Sequence, residues 1–404
     1  MLKKTLLSAA QALHCEMIEH RRWLHAHAEV GFDLKETKKY VKHALREMGL
    51  SPEDCGKAGI TASINGGFPG KVFLLRADMD ALPIPEASGE PFSSEENMHA
   101  CGHDMHTAIL LGATKLLIEQ AEHIHGTVKL MFQPAEEVFE GASDMIHAGI
   151  LNTPKVDAAM MLHVSAAVPM PAGTVLVSAP GVSAPAADYF TICVQGIGCH
   201  GSAPQNGVDA ITAAAHIIIA LQEIHAREIP ASEEAVLTIG KISGGDAANA
   251  IADSVTLQGT MRTYDEAIRA TLKKRISEIA SGIAAAFRAS ADISYGSNCP
   301  TLLNNKALSE DVLSYLRDLL GNEKAISTSV LSSDGKPVRG GGSEDFAYIS
   351  HEVPSLMFAL TAGTPEDGFV YPQHHPKVRF DESVLPTGAA ALAYCAIRWL
   401  SEHH

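Results

Sequence analysis

Residues 126–137 read Gly-Thr-Val-Lys-Leu-Met-Phe-Gln-Pro-Ala-Glu-Glu. The first part of this stretch is an apolar run bounded by Gly126 and Pro134, which predicts a buried strand over residues 126–133. Further strands are predicted on the same grounds at residues 71–76, 157–164 and 173–178, with helical patterns at 36–48 and 107–120. Strands that alternate with helices in this way predict an α/β fold.

The pattern of predicted secondary structure changes near residue 186. Half-buried strands are predicted at 188–194 and 254–260, and two long helices at 209–228 and 266–289, which together make a small α+β unit. The α/β texture then resumes, with a helix at 308–320, a strand at 355–361 and a closing helix at 385–400. We therefore predict a discontinuous catalytic domain of residues 1–185 and 299–404, interrupted by a lid or dimerisation domain of residues 186–298.

The composition excludes several kinds of partner. The chain of 404 residues has 47 acidic and 31 basic side chains, a formal charge of -16, so nucleic acids and anionic membranes are not expected partners. No apolar stretch is long enough to span a membrane. The N-terminal apolar residues recur at helical intervals from Leu6 to Leu24, which predicts one amphipathic helix rather than a signal peptide. Seven scattered cysteines fit a reducing cytoplasm.

The densest chemical signal is residues 99–106, His-Ala-Cys-Gly-His-Asp-Met-His. Cys101 and His103 are two residues apart, so in an extended or turn segment both side chains point to one side, as chelation of one metal centre requires. The alternative interpretation is a set of core histidines and a free thiol. Such a concentration of ionisable groups is costly to bury without partners, which favours the metal site.

The second signal is the pair Glu136 and Glu137 at the end of the predicted strand. An isolated acidic pair is usually a solvated loop. Here, however, it follows the carboxyl end of a strand, where open α/β sheets build their active sites. One glutamate could then bind metal while the other handles a proton.

The remaining candidate ligands are His163, at the end of a predicted strand, and His374 or His375, in a loop before the last helix. Each alone is more typical of a structural histidine. Together with Cys101, His103 and Glu137 they make five ligands, too many for one tetrahedral ion with an open position. We therefore expect two divalent ions that share a ligand, with zinc first and manganese, cobalt or nickel as alternatives that also suit a thiolate.

Residues 196–201, Gly-Ile-Gly-Cys-His-Gly, match the G-x-G-x-x-G fingerprint of dinucleotide-binding proteins. That motif requires a helix that begins at the third glycine, whereas residues 202–207 have the composition of a loop. We therefore do not expect a dinucleotide cofactor.

The ordered motifs resemble one family along essentially the whole chain. They are RRWLHAHAE (21–29), RADMDALP (76–83), CGHD (101–104), PAEE (134–137) and GSEDF (342–346). They are similar to those of the aminoacylase, hippurate hydrolase and plant auxin-conjugate hydrolase branch of the two-zinc metallopeptidases, whose distant relatives include carboxypeptidase G. The resemblance implies a zinc-exopeptidase-like catalytic domain, with a mixed central sheet flanked by helices, and an inserted lid domain.

The resemblance also implies roles for individual residues. The metal ligands would be Cys101, His103, Glu137, His163 and His374. His374 is preferred to His375 because the family places a histidine two residues before the proline. Glu136 would be the general base. In the lid, His200 would polarise the scissile carbonyl, and Asn249 and Arg262 would hold the substrate carboxylate. Cys199 and Gln205 depart from the family pattern beside His200, which bears on the acyl preference more than on the chemistry.

The activity implied is hydrolysis of N-acyl amino acids, with acetyl, benzoyl or similar acyl groups, to a carboxylate and a free amino acid. The ions would activate a water molecule, and Glu136 would carry its proton to the leaving amine. A dipeptidase or aminoacyl-conjugate hydrolase would use the same site on a substrate with a free amine. A catalytically silent binding protein would leave Glu136 and His200 without a purpose. A homodimer or larger homo-oligomer is expected through the lid.

Overall fold

A computed structural model of the chain describes residues 2–331 and 339–404. Ten α-helices occur in these two ranges: α1 (Leu2–Ala12), α2 (His14–Ala26), α3 (Lys35–Glu47), α4 (His103–Glu119), α5 (Gly141–His147), α6 (Ala210–Glu223), α7 (Glu266–Ala286), α8 (Lys306–Leu320), α9 (Ala347–Ser350) and α10 (Leu385–Glu402). Short 3-10 helices lie at Ala121–His123, Pro204–Asn206, Thr328–Val330 and Glu382–Val384, and a π-helical turn at Ile224–Glu228.

The strands are β1 (Glu53–Cys55), β2 (Gly59–Asn65), β3 (Phe68–Asp78), β4 (His125–Gln133), β5 (Ala158–Ser165), β6 (Val175–Val177), β7 (Gly181–Ala184), β8 (Ala186–Gln195), β9 (Cys199–His200), β10 (Ala235–Gly244), β11 (Ala250–Ile251), β12 (Ser254–Thr263), β13 (Ser290–Cys299), β14 (Leu302–Asn304), β15 (Ala325–Ser327) and β16 (Ser355–Thr361). The chain divides into two compact units. The first comprises the described residues of Met1–Ser183, Leu303–Arg339 and Asp345–His404, and the second comprises Ala184–Leu302 and Gly340–Glu344.

The first unit is built on an eight-stranded sheet in the order β1-β2-β4-β3-β5-β16-β6-β15. Strands β4, β3, β5 and β16 run parallel, whereas β1 and β2 at one edge and β6 beside β16 pair antiparallel. The sheet is therefore mixed, and the predicted α/β class is confirmed. The central strands are apolar in almost unbroken runs because both faces of a parallel sheet are covered.

Helices α4 and α10 pack against β3 and against each other. Almost every residue of α4 is buried, from His103 to Leu117, and α10 is buried nearly as completely. A helix that is apolar on all sides belongs in the interior, which explains why neither shows a strong amphipathic pattern. The largest side chains of this core include Phe73 on β3 and Phe132 on β4, both fully buried. The packing fixes the carboxyl ends of the central strands.

The second unit is a four-stranded antiparallel sheet in the order β10-β12-β8-β13, with α6 and α7 packed on one face. Phe190, Ile192 and Val194 of β8 form its core with Ile217 of α6 and Ile276 of α7. Strands β9 and β11 form a separate two-stranded sheet. The boundaries predicted at residues 186 and 298 lie close to the ends of the main segment of this unit. Its role as a lid or dimerisation domain stays a prediction.

Three expectations about local structure were wrong. The N-terminal helix is two helices, because the chain leaves helical geometry at Leu13 between α1 and α2. Helix α4 begins at His103 rather than near residue 107. The second unit has β10 and β13 in addition to the two predicted strands. β10 is largely exposed beyond Ile239, and β13 has a short alternation of Ala291, Ile293 and Tyr295 with polar residues before a segment rich in Gly, Ser and Asn, so the apolar signal of each strand is brief.

Two observations concern the glycine-rich segment and the lengths of the helices. Residues 201–207 form a turn and a short 3-10 helix, and α6 does not begin until Ala210, so the glycine-rich segment lacks the helix of a dinucleotide site. Within residues 2–331 and 339–404, every helix is too short or too polar to cross a membrane.

Candidate active site

The site forms where three parallel strands end side by side. β3 ends at Asp78 directly beside Gln133 at the end of β4, and β5 carries His163 near its end. Glu136 and Glu137 follow β4 immediately. Because the carboxyl ends of parallel strands open at one edge of the sheet, these side chains meet in the first unit.

A tight turn brings in Cys101 and His103. Gly102 between them has φ 91°, in the left-handed region, and a Cβ atom there would lie 2.4 Å from the side chain of Val164. Only glycine satisfies both conditions. The turn feeds directly into α4, so His103 occupies the first helical position rather than an extended segment. Both side chains nevertheless belong to one group of potential metal ligands, together with His163.

The ring of His103 is oriented by a backbone carbonyl. Its Nδ1 lies 2.8 Å from the carbonyl oxygen of Asp80, which fixes Nδ1 as the donor and leaves the lone pair on Nε2. This Nε2 atom is buried and has no hydrogen-bond partner within the described residues. Three carboxylate oxygens surround it, those of Asp78 at 3.7 Å and of Glu136 and Glu137 at 3.9 Å. Nε2 of His103 is thus a buried imidazole nitrogen with a lone pair that faces the candidate site, as a metal ligand requires.

The candidate ligands form two overlapping groups. Cys101, His103 and His163 place one donor atom each within 4.8 Å of one another, and so do Cys101, Glu137 and His374. Cys101 Sγ is 3.6 Å from His163 Nε2, and His374 Nε2 is 3.6 Å from a Glu137 oxygen. Nitrogen and sulfur ligands of one tetrahedral zinc are about 3.3–3.8 Å apart, so these separations fit two ions that share Cys101.

The charges around the site favour a cation at its centre. Burial alone would lower the pKa of His103, but Asp78 and the Cys101 thiol together raise it well above its usual value. Burial raises the pKa of Glu137, an effect that His103 and His374 oppose and that the carboxylates of Asp80 and Asp78 reinforce. A positive charge placed among these acidic groups would stabilise their ionised forms. The donor set of three imidazoles, one thiol and one carboxylate therefore fits divalent ions of the zinc, manganese, cobalt and nickel group.

His374 is the least enclosed of the candidate ligands, with 54% of its side chain exposed. Its φ of 65° is unusual for a residue other than glycine, and its N–H donates to the carbonyl of Ala100 at 2.9 Å. The neighbouring His375 instead accepts from the Lys377 N–H and stacks on Tyr371. The sequence left open whether His374 or His375 is the ligand. His374 is the one that belongs to a group of potential ligands.

Three residues of the site were missed by the sequence argument: Asp78, Asp80 and His106. The Asp80 carboxylate accepts from the backbone N–H groups of Glu136 and Glu137, at 3.0 and 3.2 Å. Asp78 accepts from Nδ1 of His106, whose Nε2 in turn accepts from the Val164 N–H. Burial lowers the pKa of His106 to about 4, so this ring is neutral and supports the framework. The argument that placed Glu136 at a strand end applies equally to Asp78 and Asp80.

A buried polar network lies behind Glu136. Arg76 donates to Asp345 at 3.0 Å and to Gln133 at 2.9 Å, and Gln133 donates to the same Asp345 oxygen at 2.6 Å. The Asp345 N–H in turn donates to a Glu136 oxygen at 3.4 Å. The RADMDALP and GSEDF motifs, distant in sequence, are therefore joined in one network that orients Glu136.

The second unit holds the other three candidates. His200 on β9 pairs with Ala250 on β11, and the Gly201 N–H donates to the Asn249 carbonyl, so His200 and Asn249 are neighbours. Nδ1 of His200 accepts from the Ser202 N–H at 3.1 Å and lies 2.7 Å from the Ser202 hydroxyl. Arg262 lies on β12, where its Nη1 donates to the Ser343 hydroxyl at 2.8 Å.

Comparison with known proteins identifies the family. Residues 74–398 match the model of Peptidase family M20/M25/M40. The chain belongs to this family. The predicted family is thereby confirmed, and so is the predicted class of enzyme, a metal-dependent amidohydrolase.

Individual M20 relatives are similar over nearly their whole length. N-acetyl-L-cysteine deacetylase of Bacillus subtilis (strain 168) is 36% identical over 97% of this chain and 90% of its own. IAA-amino acid hydrolase ILR1-like 2 of Arabidopsis thaliana is 36% identical over 96% of this chain and 85% of its own. The crystal structure of the Bacillus subtilis YXEP protein, a dinuclear metal-binding peptidase of the M20 family, is 31% identical with a TM-score of 0.79, covering 97% and 99% of the two chains.

Proposed function

We propose that this M20 enzyme hydrolyses the amide bond of small N-acyl amino acids, releasing a carboxylate and a free amino acid. The observation that carries the proposal is the overlap of the two ligand groups at Cys101, with the Glu136 carboxylate beside them. A two-ion centre with an adjacent proton carrier is suited to amide hydrolysis. Relatives that act on N-acetylcysteine and on amino acid conjugates of IAA support this substrate class.

Two divalent ions would be held by Cys101, His103, Glu137, His163 and His374, with Cys101 shared. Zinc is the proposed ion, and manganese, cobalt and nickel suit the same donors. Such ions supply a water molecule that is acidic enough to lose a proton near neutral pH and a positive charge that polarises the amide carbonyl. The dinuclear M20 peptidase from Bacillus subtilis supports a two-ion centre.

Glu136 is the proposed general base. It is buried to 5% exposure, its N–H is held by Asp80, and the Asp345 N–H contacts one of its oxygens. The other oxygen faces the ligand cluster, 3.9 Å from His103 Nε2. Glu136 is therefore oriented to take a proton from water at this centre and to return it to the departing amine.

His200, Asn249 and Arg262 are proposed to act on the substrate. Because Nδ1 of His200 accepts the Ser202 N–H, the ring proton lies on Nε2, which can donate to the oxyanion that develops at the carbonyl. Asn249 lies next to His200 across the β9–β11 pair. The guanidinium of Arg262 suits the carboxylate of the amino acid, which it can bind with two parallel hydrogen bonds.

The role of Arg262 predicts a change in substrate affinity. In Arg262→Ala we expect KM for an N-acetyl amino acid to rise about 10–100-fold, since a charge-assisted hydrogen bond contributes about 1.5–3 kcal/mol. The corresponding N-acetyl amino acid amide should change far less. Steady-state kinetics on both substrates measures the difference, with the exposed Arg227→Ala as the control. An equal effect on the two substrates would contradict carboxylate recognition.

The test of the proposed function is a substrate panel. The protein is loaded with zinc, manganese, cobalt or nickel, and amine release is assayed from N-acetyl and N-benzoyl amino acids and from dipeptides. Hydrolysis of the N-acyl amino acids supports the proposal. Hydrolysis of dipeptides alone would instead establish the dipeptidase interpretation, and inactivity with every metal would refute both.

We also propose a homodimer or larger homo-oligomer in which His200 acts on the active site of a partner. The prediction is complementation: His200→Ala and Glu136→Gln subunits, each inactive, should recover up to about a quarter of the activity when mixed, because one site in a random dimer would then have both residues. The measurement is activity after denaturation and joint refolding. Mixed subunits that stay inactive, although mass photometry shows mixed dimers, would place His200 and Glu136 of one chain in the same site.

The proposed compartment is the cytoplasm. All seven cysteines lie in the described part of the chain, and none of them forms a disulfide. Cys101 would moreover have to remain a free thiol to bind metal, which a reducing compartment ensures.

A further inference from the structure

The loop that carries His374 is held by contacts of the residue that precedes it. The N–H of His374 is bound by Ala100, but its side chain is about half exposed and its backbone lies in the left-handed region. Backbone strain of this kind persists only where neighbouring contacts hold it. The preceding residue, Gln373, supplies such contacts.

The amide of Gln373 touches two other ligand segments. Its Nε2 donates to the carbonyl of Val164 at 3.1 Å and lies 3.5 Å from the carbonyl of Cys101. It also lies 3.5 Å from Nδ1 of His163, which itself donates to the Val164 carbonyl at 2.7 Å. One half-buried side chain therefore joins the segments of Cys101 and His163 to the loop of His374.

These three ligands span both groups of the centre. His163 belongs to one group, His374 to the other, and Cys101 to both. We infer that Gln373 is a positioning residue that couples the two ion sites, by holding the His374 loop against the backbone of the other two ligands. This inference rests on the proposed function for the identity of the ligands. Gln373 is not among the ligands predicted from the sequence. Its amide hydrogens, rather than a bond to metal, would determine how firmly the ion beside His374 is held.

The test is metal binding by Gln373→Met, which keeps the length of the side chain and removes its donors. We expect both ions to bind, but one of them about 10–100-fold more weakly, the usual effect of removing a hydrogen bond that orients a ligand. Competition with a chelator gives the two dissociation constants, and the absorption of the cobalt-loaded protein reports the thiolate bond of Cys101. Gln222→Met, on the exposed face of α6, is the matched control.

A second variant separates geometry from charge. Gln373→Glu has the shape of glutamine but cannot donate to either carbonyl when ionised, and its negative charge would on its own attract cations. Weaker binding in Gln373→Glu as well as Gln373→Met supports positioning. Unchanged or tighter binding in both variants would overturn it. Because binding is measured without substrate, an unsuitable substrate class leaves this result intact, whereas a wild-type chain that binds no ions would refute both proposals.

Discussion

Replacing Glu136 by Gln is expected to abolish most of the activity while both metal ions remain bound. The change keeps the size of the side chain and its contacts with Asp80 and Asp345, but the amide is not a base. General-base catalysis contributes about 10²–10⁴-fold, so kcat should fall by that factor, equivalent to about 3–5.5 kcal/mol in the barrier. Steady-state kinetics and metal analysis of the same preparation test both halves of the prediction.

The control for this experiment is the neighbouring carboxylate. Glu137→Gln removes a proposed ligand, so this variant should lose metal as well as activity, and excess metal should restore part of it. Glu136→Gln should not respond to added metal. An active Glu136→Gln enzyme, or one restored by metal, would remove Glu136 from the role of base.

The second large effect is expected at Cys101. Because Cys101 belongs to both ligand groups, Cys101→Ala should weaken the binding of both ions, each by more than the 10–100-fold that loss of an outer hydrogen bond costs. His163→Ala should weaken only one. Metal content after dialysis against a chelator, measured by mass spectrometry, gives the stoichiometry of each variant.

A matched thiol provides the control. Cys193, an exposed cysteine of the second unit, can be changed to Ala without any effect expected on metal content. If Cys101→Ala retained one ion at full affinity, the thiol would serve a single ion, and the shared-ligand arrangement would be wrong.

Much of the fold was predictable because its central strands carry a strong signal. The strand predicted at 355–361 is β16, and the run ending at Gln133 is β4, since buried parallel strands are continuous apolar segments. β10 and β13 lack this signal: they are half exposed, and Gly, Ser and polar residues occupy many positions. Their place in the sheet depends on pairing with β12 and β8, which no local pattern records.

The residues of the candidate site also differ in how well the sequence predicts them. Cys101, His103 and the Glu136–Glu137 pair were recognisable because reactive residue types are concentrated in short stretches. Asp80 was not, because it acts through hydrogen bonds to the backbone of another strand end, and Gln373 was not, because its importance lies in which carbonyls it reaches. Candidate ligands can thus be recognised in a sequence by their residue types, whereas the residues proposed to orient them can be recognised only from the structure.

The position of β16 in the sheet has a consequence for how the protein is made. β16 lies between β5 and β6, yet it is encoded after the whole of the second unit, and His374 comes later still. From the synthesis of β6 until that of β16, a nascent chain therefore contains four of the five proposed ligands and the unpaired edges of β5 and β6. Open strand edges invite wrong pairing with other chains. Translation order thus makes the insertion of β16 a late step that closes the sheet, and only the segment made after it supplies the last proposed ligand. We therefore expect a chain stopped just before β16 to be aggregation-prone and to lack part of the proposed metal centre.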